Sequence, residues 1–197
     1  SDSHADTCAL GSNFLLVETT DWTCTVQPFH EDYAAQDNIP VVTGATAYDD
    51  PVTEETVILV FHQSLWFGSS LENSLICPQQ IRSYGVSMCD DPYDPNRSLG
   101  MICDDGTEIP FNVKNSMIGV TTRCPSLQEY ENCRHLVMTS PQIWDPTSKN
   151  LPHHSQDAHV DSLESWHQVN ARDHNITQAF ESDILLSSIS SILSPQT

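Results

Sequence analysis

Ile39-Pro40-Val41-Val42-Thr43-Gly44-Ala45-Thr46-Ala47-Tyr48, then Asp49-Asp50-Pro51, then Thr56-Val57-Ile58-Leu59-Val60-Phe61: these neighbouring stretches decide the fold class. The first is rich in β-branched and small residues and carries Gly44 in its middle. The last is the most β-prone run in the chain. The Asp-Asp-Pro between them is a turn signal. Together they predict a long hairpin, 41–48 up, 49–55 around and 56–61 down.

Outward from this hairpin the β texture continues. On the N-terminal side, Asn13 to Val17 is a short apolar run that reads as a buried strand. Trp22 to Val26 alternates and reads as a second strand, and the polar stretch 28–38 as a loop. On the C-terminal side, Pro78 and Gly85 bracket 78–84 as a short helix, with Pro at its first position and Gly just past its end. Val86 to Met88 returns to strand. Leu99 to Cys103 and Ile109 to Val113 flank Asp104-Asp105-Gly106-Thr107, whose Asp-Gly predicts a hairpin turn. Met117 to Thr122 adds a last strand. Met88, Met101 and Met117 read as core packing, and His62 and His135 as single core or surface residues. The reading is all-β, a small closed sheet or barrel with one short helix. Residues 1–125 form the domain and 126–145 a peripheral extension. From Pro146 the chain turns to Pro, Ser, His, Gln and Asp, and 146–197 reads as a linker-like tail. Ile176, Phe180, Ile184, Ile189 and Leu193 leave room for a terminal amphipathic helix.

Charge excludes one class of partner. Seven basic residues face 27 acidic ones, a net charge of −20, and no Lys or Arg precedes Arg82. Such a surface repels phosphate backbones, so no direct nucleic-acid partner is expected. No apolar run approaches membrane-spanning length, and no membrane partner is expected either. The seven cysteines form no Cys-x-x-Cys pair, so no zinc ribbon is written here. Irregular spacing and an odd count suit free thiols in a reducing compartment.

The chemistry-bearing stretch is Ser1-Asp2-Ser3-His4-Ala5-Asp6-Thr7. Read as an extended segment, it puts Asp2, His4 and Asp6 on one face and Ser3, Ala5 and Thr7 on the other. Aspartic proteases carry Asp-(Thr/Ser)-Gly-Ala, and retroviral-type ones often continue with Asp and Thr. Asp2 to Thr7 resembles that signature at every position but one: His4 stands where the family has Gly.

Later segments extend the resemblance. Val57 to Phe61, Asn73-Ser74-Leu75-Ile76-Cys77, Gln80-Ile81 and Gly85 follow in the order of a retropepsin-like protease, and more narrowly of the protease segment of a copia-type LTR retrotransposon gag-pol polyprotein. It covers roughly residues 1–125. The resemblance implies a retropepsin-type barrel. It implies an endopeptidase that processes a retrotransposon polyprotein inside the cell, within virus-like particles, with a polypeptide substrate and no cofactor or metal. With only one such motif per chain, it implies a homodimer in which Asp2 of each copy supplies half of the catalytic dyad. Ser3 would brace the two loops, and Asp6 would pair with Arg82 on the short helix. Ala5 and Thr7 would complete the support, and Gly44 would lie in a flap over bound peptide. Ser1 stands directly before Asp2, without the strand that precedes the motif in the family, so the segment reads as a piece of a longer polypeptide.

Two other readings stay open. His4 adds a Cβ and a ring beside the dyad, so the domain could be a catalytically silent, dimerising part of a polyprotein. Alternatively, Asp2, His4 and Asp6 on one strand face could belong to a divalent-metal hydrolase.

Overall fold

The computed structural model describes residues 6–27, 34–114 and 116–147. They fall within a first compact unit that ends at Leu151. The tail and terminal helix expected beyond Pro146 lie almost wholly outside the described residues.

The hairpin read first is the middle of the structure. Strands β3 (Gln36–Asp49) and β4 (Thr56–Gly68) pair antiparallel, Val41 opposite Leu65 and Asp49 opposite Thr56. Residues 42–48 and 57–61 are all buried, so both faces are covered and polar alternation is absent. Asp50 closes the turn: its Oδ1 accepts the Val52 N–H at 2.8 Å, and its own N–H donates to the Glu55 carbonyl. At the base, Thr56 Oγ1 donates to Asp49 at 2.7 Å.

Strand β4 is bonded along both edges. Antiparallel β3 takes one edge. The other is shared in series by two parallel strands, β1 (Ala9–Gly11) against Leu65–Gly68 and β10 (Arg134–Val137) against Val57–Val60. Strand β2 (Leu15–Val26) lies outside β3, giving the order β1-β4-β3-β2 with β10 also on β4. The expected closed barrel is not found: among the described residues the sheet is open. The remaining strands are short and form separate sheets, β5 (Ser87–Cys89), β6 (Gly100–Ile102) and β7 (Glu108–Pro110) in one, β8 (Asn112–Lys114) and β9 (Met117–Gly119) in another. The predicted strand 109–113 is thereby split. Pro110 has no N–H to donate and ends one ladder, after which the chain bends at Phe111 into the next.

Several expectations shift. The two strands read at 13–17 and 22–26 are one strand. Register irregularities between Thr19 and Thr23 absorb the polar residues between them, and Thr20 Oγ1 donates to the Val41 carbonyl at 2.7 Å. The helix α1 (Pro78–Ser83) forms as expected, with Pro78 at its start and Gly85 at φ 102° beyond its end. A second helix, α2 (Leu127–Asn132), carries a full capping box between Ser126 and Glu129. The segment read as peripheral, 126–145, therefore holds a helix and a strand of the central sheet. Leu136 and Met138 are in the core.

The larger of two hydrophobic clusters joins the sheets and is built on Leu10, Phe14, Leu59, Phe61, Ile81, Met88, Met101 and Ile109; the smaller packs Ala45, Ala47, Ile58 and Val60 on the other face of β3 and β4 against Tyr130 and Val137. Met88 and Met101 pack there as expected, but Met117 is 67 % exposed on β9. Arg123 ties the hairpin base to α2 through Asp49 (2.7 Å) and Glu129 (2.7 Å). Hydrogen bonds from its guanidinium, with those from Ser126, bring the Glu129 carboxyl down to about 2. All seven cysteines are free thiols. Among the described residues no helix is long and apolar enough to cross a membrane.

Candidate functional site

Asp2, Ser3, His4 and Ala5 lie outside the described residues. Asp6 is exposed and Thr7 half-buried; from there the chain enters β1. Small and apolar residues make this entry tight, and Cys8 and Leu10 are fully buried.

A three-residue strand holds its place here because both of its edges are bonded. The Leu65 N–H donates to the Cys8 carbonyl at 2.8 Å from β4. On the other side Ala9 and Leu75 exchange two bonds, at 2.8 and 2.9 Å, in antiparallel sense. Ser12 N–H donates to Leu71 at 2.9 Å, and Gly11 N–H to Ser74 Oγ at 2.8 Å. Gly11 sits so close to the Leu71 carbonyl that a Cβ would run into its oxygen. The exit of the Asp2–Thr7 motif is thus held between the end of β4 and the segment 71–75, which bridges it at Leu75.

Helix α1 fastens the same point from behind. Gln80, 2 % exposed, accepts the Cys8 N–H on Oε1 at 2.8 Å. Its Nε2 donates to the Gln63 carbonyl at 2.8 Å and reaches that of His62 at 3.4 Å. The Cys77 N–H donates to Cys8 Sγ at 3.2 Å, and Gln80 N–H to Cys77 Sγ at 3.4 Å, so Cys77 caps the helix with its thiol. Trp144 Nε1 donates to the Asp6 carbonyl at 2.9 Å. In the sequence Gln80 belongs only to the family-like pattern, and its place in the first turn of a Pro-started helix gives no sign of its partners.

Burial is the main electrostatic feature. It pushes the Cys8 thiol far above its ordinary range, and pushes Cys77 up as well, with the Asp6 charge adding to the effect at Cys77. Burial raises Cys24 too, again with a contribution from Asp6. Cys24 lies on the outer half of β2, so the β2–β3 ribbon and the motif's exit are within electrostatic reach of each other. All three thiols are held neutral at neutral pH, and Cys8 and Cys77 are also shielded by burial. In native protein treated with a maleimide, exposed Cys124 is expected to react first, and Cys8 and Cys77 only after denaturation. Peptide mapping that finds early Cys8 labelling would contradict this packing.

Two expected roles need correction. Arg82 pairs with Asp90 at 2.6 Å and also donates to the Met88 carbonyl at 3.3 Å, not with Asp6. Gly85 reverses the chain, and β5 returns beside the last turn of α1, bringing Asp90 to Arg82. Gly44 is not at a hairpin tip. It is buried inside β3 between Leu16 and Phe61, and a Cβ there would lie 2.5 Å from Leu10 Cδ1. The hairpin with exposed arms is β2–β3, whose outer half includes Trp22, 57 % exposed, and whose residues 28–33 lie outside the described ones.

Asp105-Gly106-Thr107 is a hairpin turn, as expected. Asp105 accepts the Thr107 N–H at 2.9 Å and pairs with Arg134. Among the described residues no group of three His, Cys, Asp or Glu side chains converges as metal ligands. Beside Leu75, 42 % exposed, opens a largely apolar cavity of about 400 Å³ that also touches Phe14, Phe61, Ile76 and Met88. No family model matches the chain, and no curated protein or solved structure matches it either.

Proposed function

We propose that this chain is an aspartic endopeptidase of the retropepsin kind, acting as a homodimer on a retrotransposon polyprotein inside the cell. The observation that supports it most is the three-way junction around β1. The segments that carry the sequence resemblance are 2–7, 57–61, 73–77, 80–81 and Gly85. The chain leaving the first of them is bonded to Leu75 and to Gln80, and it meets β4 at Leu65–Gly68, a few residues beyond 57–61. Three pieces of the pattern, the motif's exit, Leu75 and Gln80, are thus bonded together, which supports the reading.

The chemistry follows from pairing two carboxylates. Asp2 of each copy would face its mate, and like charges that close cannot both ionise. The ionised one takes a proton from a water, which attacks the peptide carbonyl, while the protonated one donates to the carbonyl oxygen. Ser3 braces the two loops against each other. Asp6, exposed just before β1, is free to meet substrate backbone rather than Arg82. In this reading the exposed β2–β3 ribbon, not Gly44, would cover bound peptide, with apolar Trp22 upon it.

An inhibitor carrying a statine-type hydroxyl is expected to block peptide cleavage, and a chelator to leave it unchanged. Sedimentation is expected to show dimer growing with concentration alongside activity. Chelator sensitivity with indifference to the inhibitor would overturn the reading in favour of metal-assisted hydrolysis. Activity from a strict monomer would overturn the shared site.

A further inference from the structure

We infer that Gln80 is a positioning residue for the Asp2 motif, a buried amide that locks the motif's exit strand to the sheet through both ends of its side chain. The inference rests on the protease reading for its catalytic consequence, but not for the lock itself.

Three observations carry it. Gln80 is 2 % exposed, and a buried primary amide is costly unless its donor and acceptor are both used. Here both are used on backbone. Oε1 takes the Cys8 N–H at 2.8 Å, six residues after Asp2, and Nε2 gives to the Gln63 carbonyl at 2.8 Å. The side chain therefore spans from β1 to the stretch of β4 where Gln63 adopts φ 51°. That positive φ is unusual for a residue with a Cβ, and it falls in β4 just ahead of the residues that pair with β1. The bond to its carbonyl helps to hold that backbone in place. No apolar residue could do both jobs, and α1, itself fixed by Pro78 and the Cys77 cap, sets where the amide stands.

The consequence concerns orientation. A dyad needs its two carboxylates placed to within a fraction of an ångström, and precision of that kind comes from residues behind the reacting groups. Gln80 touches neither substrate nor reacting atoms in this account. Its loss should lower turnover rather than substrate binding.

The test uses Gln80→Ala and Gln80→Glu in the full chain, with two readouts. Amide hydrogen exchange reads the lock directly. In Gln80→Ala the Cys8 amide is expected to exchange about tenfold faster or more, the change one buried hydrogen bond supports. Amides in the hairpin centre at Ala45 and Leu59 should stay protected. In parallel, kcat for a peptide substrate should fall by about tenfold or more with KM nearly unchanged.

Gln80→Glu separates positioning from simple loss of stability. Its carboxylate can accept from Cys8 but cannot donate to Gln63. When protonated it can do both, so protection of Cys8 and turnover should recover towards wild type as pH falls below the burial-raised pKa of the new acid. The ionisable groups around it are Cys8, Cys77, Asp6, His62 and Arg82, all present in wild type, which serves as the reference at each pH. Unchanged Cys8 exchange in Gln80→Ala would overturn the lock. Faster exchange with unchanged kcat would overturn the positioning role. A wild type that cleaves no peptide would sink the protease reading alone, and the exchange readout would still decide the lock.

Discussion

Asp2→Asn is expected to abolish peptide cleavage while leaving the fold and the dimer in place. An amide can neither share the dyad proton nor activate water, and acid–base catalysis by a placed side chain is worth about 10²–10⁴-fold. In the proposed homodimer both halves of the site would be lost at once, because each dimer would carry the substitution twice. His4→Gly tests the neighbouring position in the opposite direction. If the imidazole crowds the place where two loops meet, its removal relieves overpacking of about 1–3 kcal/mol. Cleavage should then rise and the dimer tighten, while His4→Gly/Asp2→Asn stays inactive. A rate that is unchanged or lower in His4→Gly would mean that the ring has found a useful place, for example bonding to Asp6. No cleavage by wild type or by His4→Gly would point to a silent polyprotein domain. Cleavage that survives Asp2→Asn would end the dyad reading.

Phe61→Ala is expected to cost about 3–5 kcal/mol, the usual range for truncating a buried aromatic. Phe61 is 2 % exposed and meets Phe14 edge-on, with ring centroids 5.4 Å apart at 75°. It sits on β4, which is bonded along both edges and has little freedom to collapse inward. It also lines the cavity of about 400 Å³, so the lost ring enlarges a space that already exists. Against a total stability of about 5–15 kcal/mol for a domain, this leaves a marginal fold. Urea denaturation should show a much lower midpoint with the same slope. Val52→Ala, at a site 87 % exposed in the hairpin turn, should change stability by less than about 0.5 kcal/mol. Equal losses at the two positions would mean that β4 is not the centre of the core.

Local patterns were legible in the sequence where short-range chemistry decides structure. The β-branched runs and the Asp-Asp-Pro turn placed the β3–β4 hairpin. Pro78 and Gly85 placed α1, and Asp105-Gly106 placed the β6–β7 turn. What was missed depends on partners far along the chain. Arg134 to Val137 is four residues long and looks unremarkable until it lies beside Val57 to Val60. The resemblance places Gly44 in a flap over bound peptide, yet its absent Cβ here makes room for Leu10 inside β3. Arg82 was assigned to Asp6 by pattern, but the reversal at Gly85 supplies a nearer carboxylate. Helix α2 was readable in principle, since Ser126-Leu127-Gln128-Glu129 is a capping box in plain letters. At the candidate site the motif itself is legible in the sequence, whereas the Gln80 clamp on Cys8, between residues 72 apart, is not.

The parallel docking of β10 on β4 also sets an order of events during synthesis. His62 and Thr139, bonded at 2.7 Å, are 77 residues apart. At translation speeds of about 5–20 residues per second, β4 waits about 4–15 s for its last neighbour. Such long-range pairing makes folding slow. During that interval the most β-prone strand of the chain has half of one edge unpaired, open to any extended segment nearby. On a polysome, the nearest such segment belongs to a neighbouring nascent copy of the same chain. Residues 134–137 then act as a late, built-in competitor that ends the risk of cross-pairing between chains.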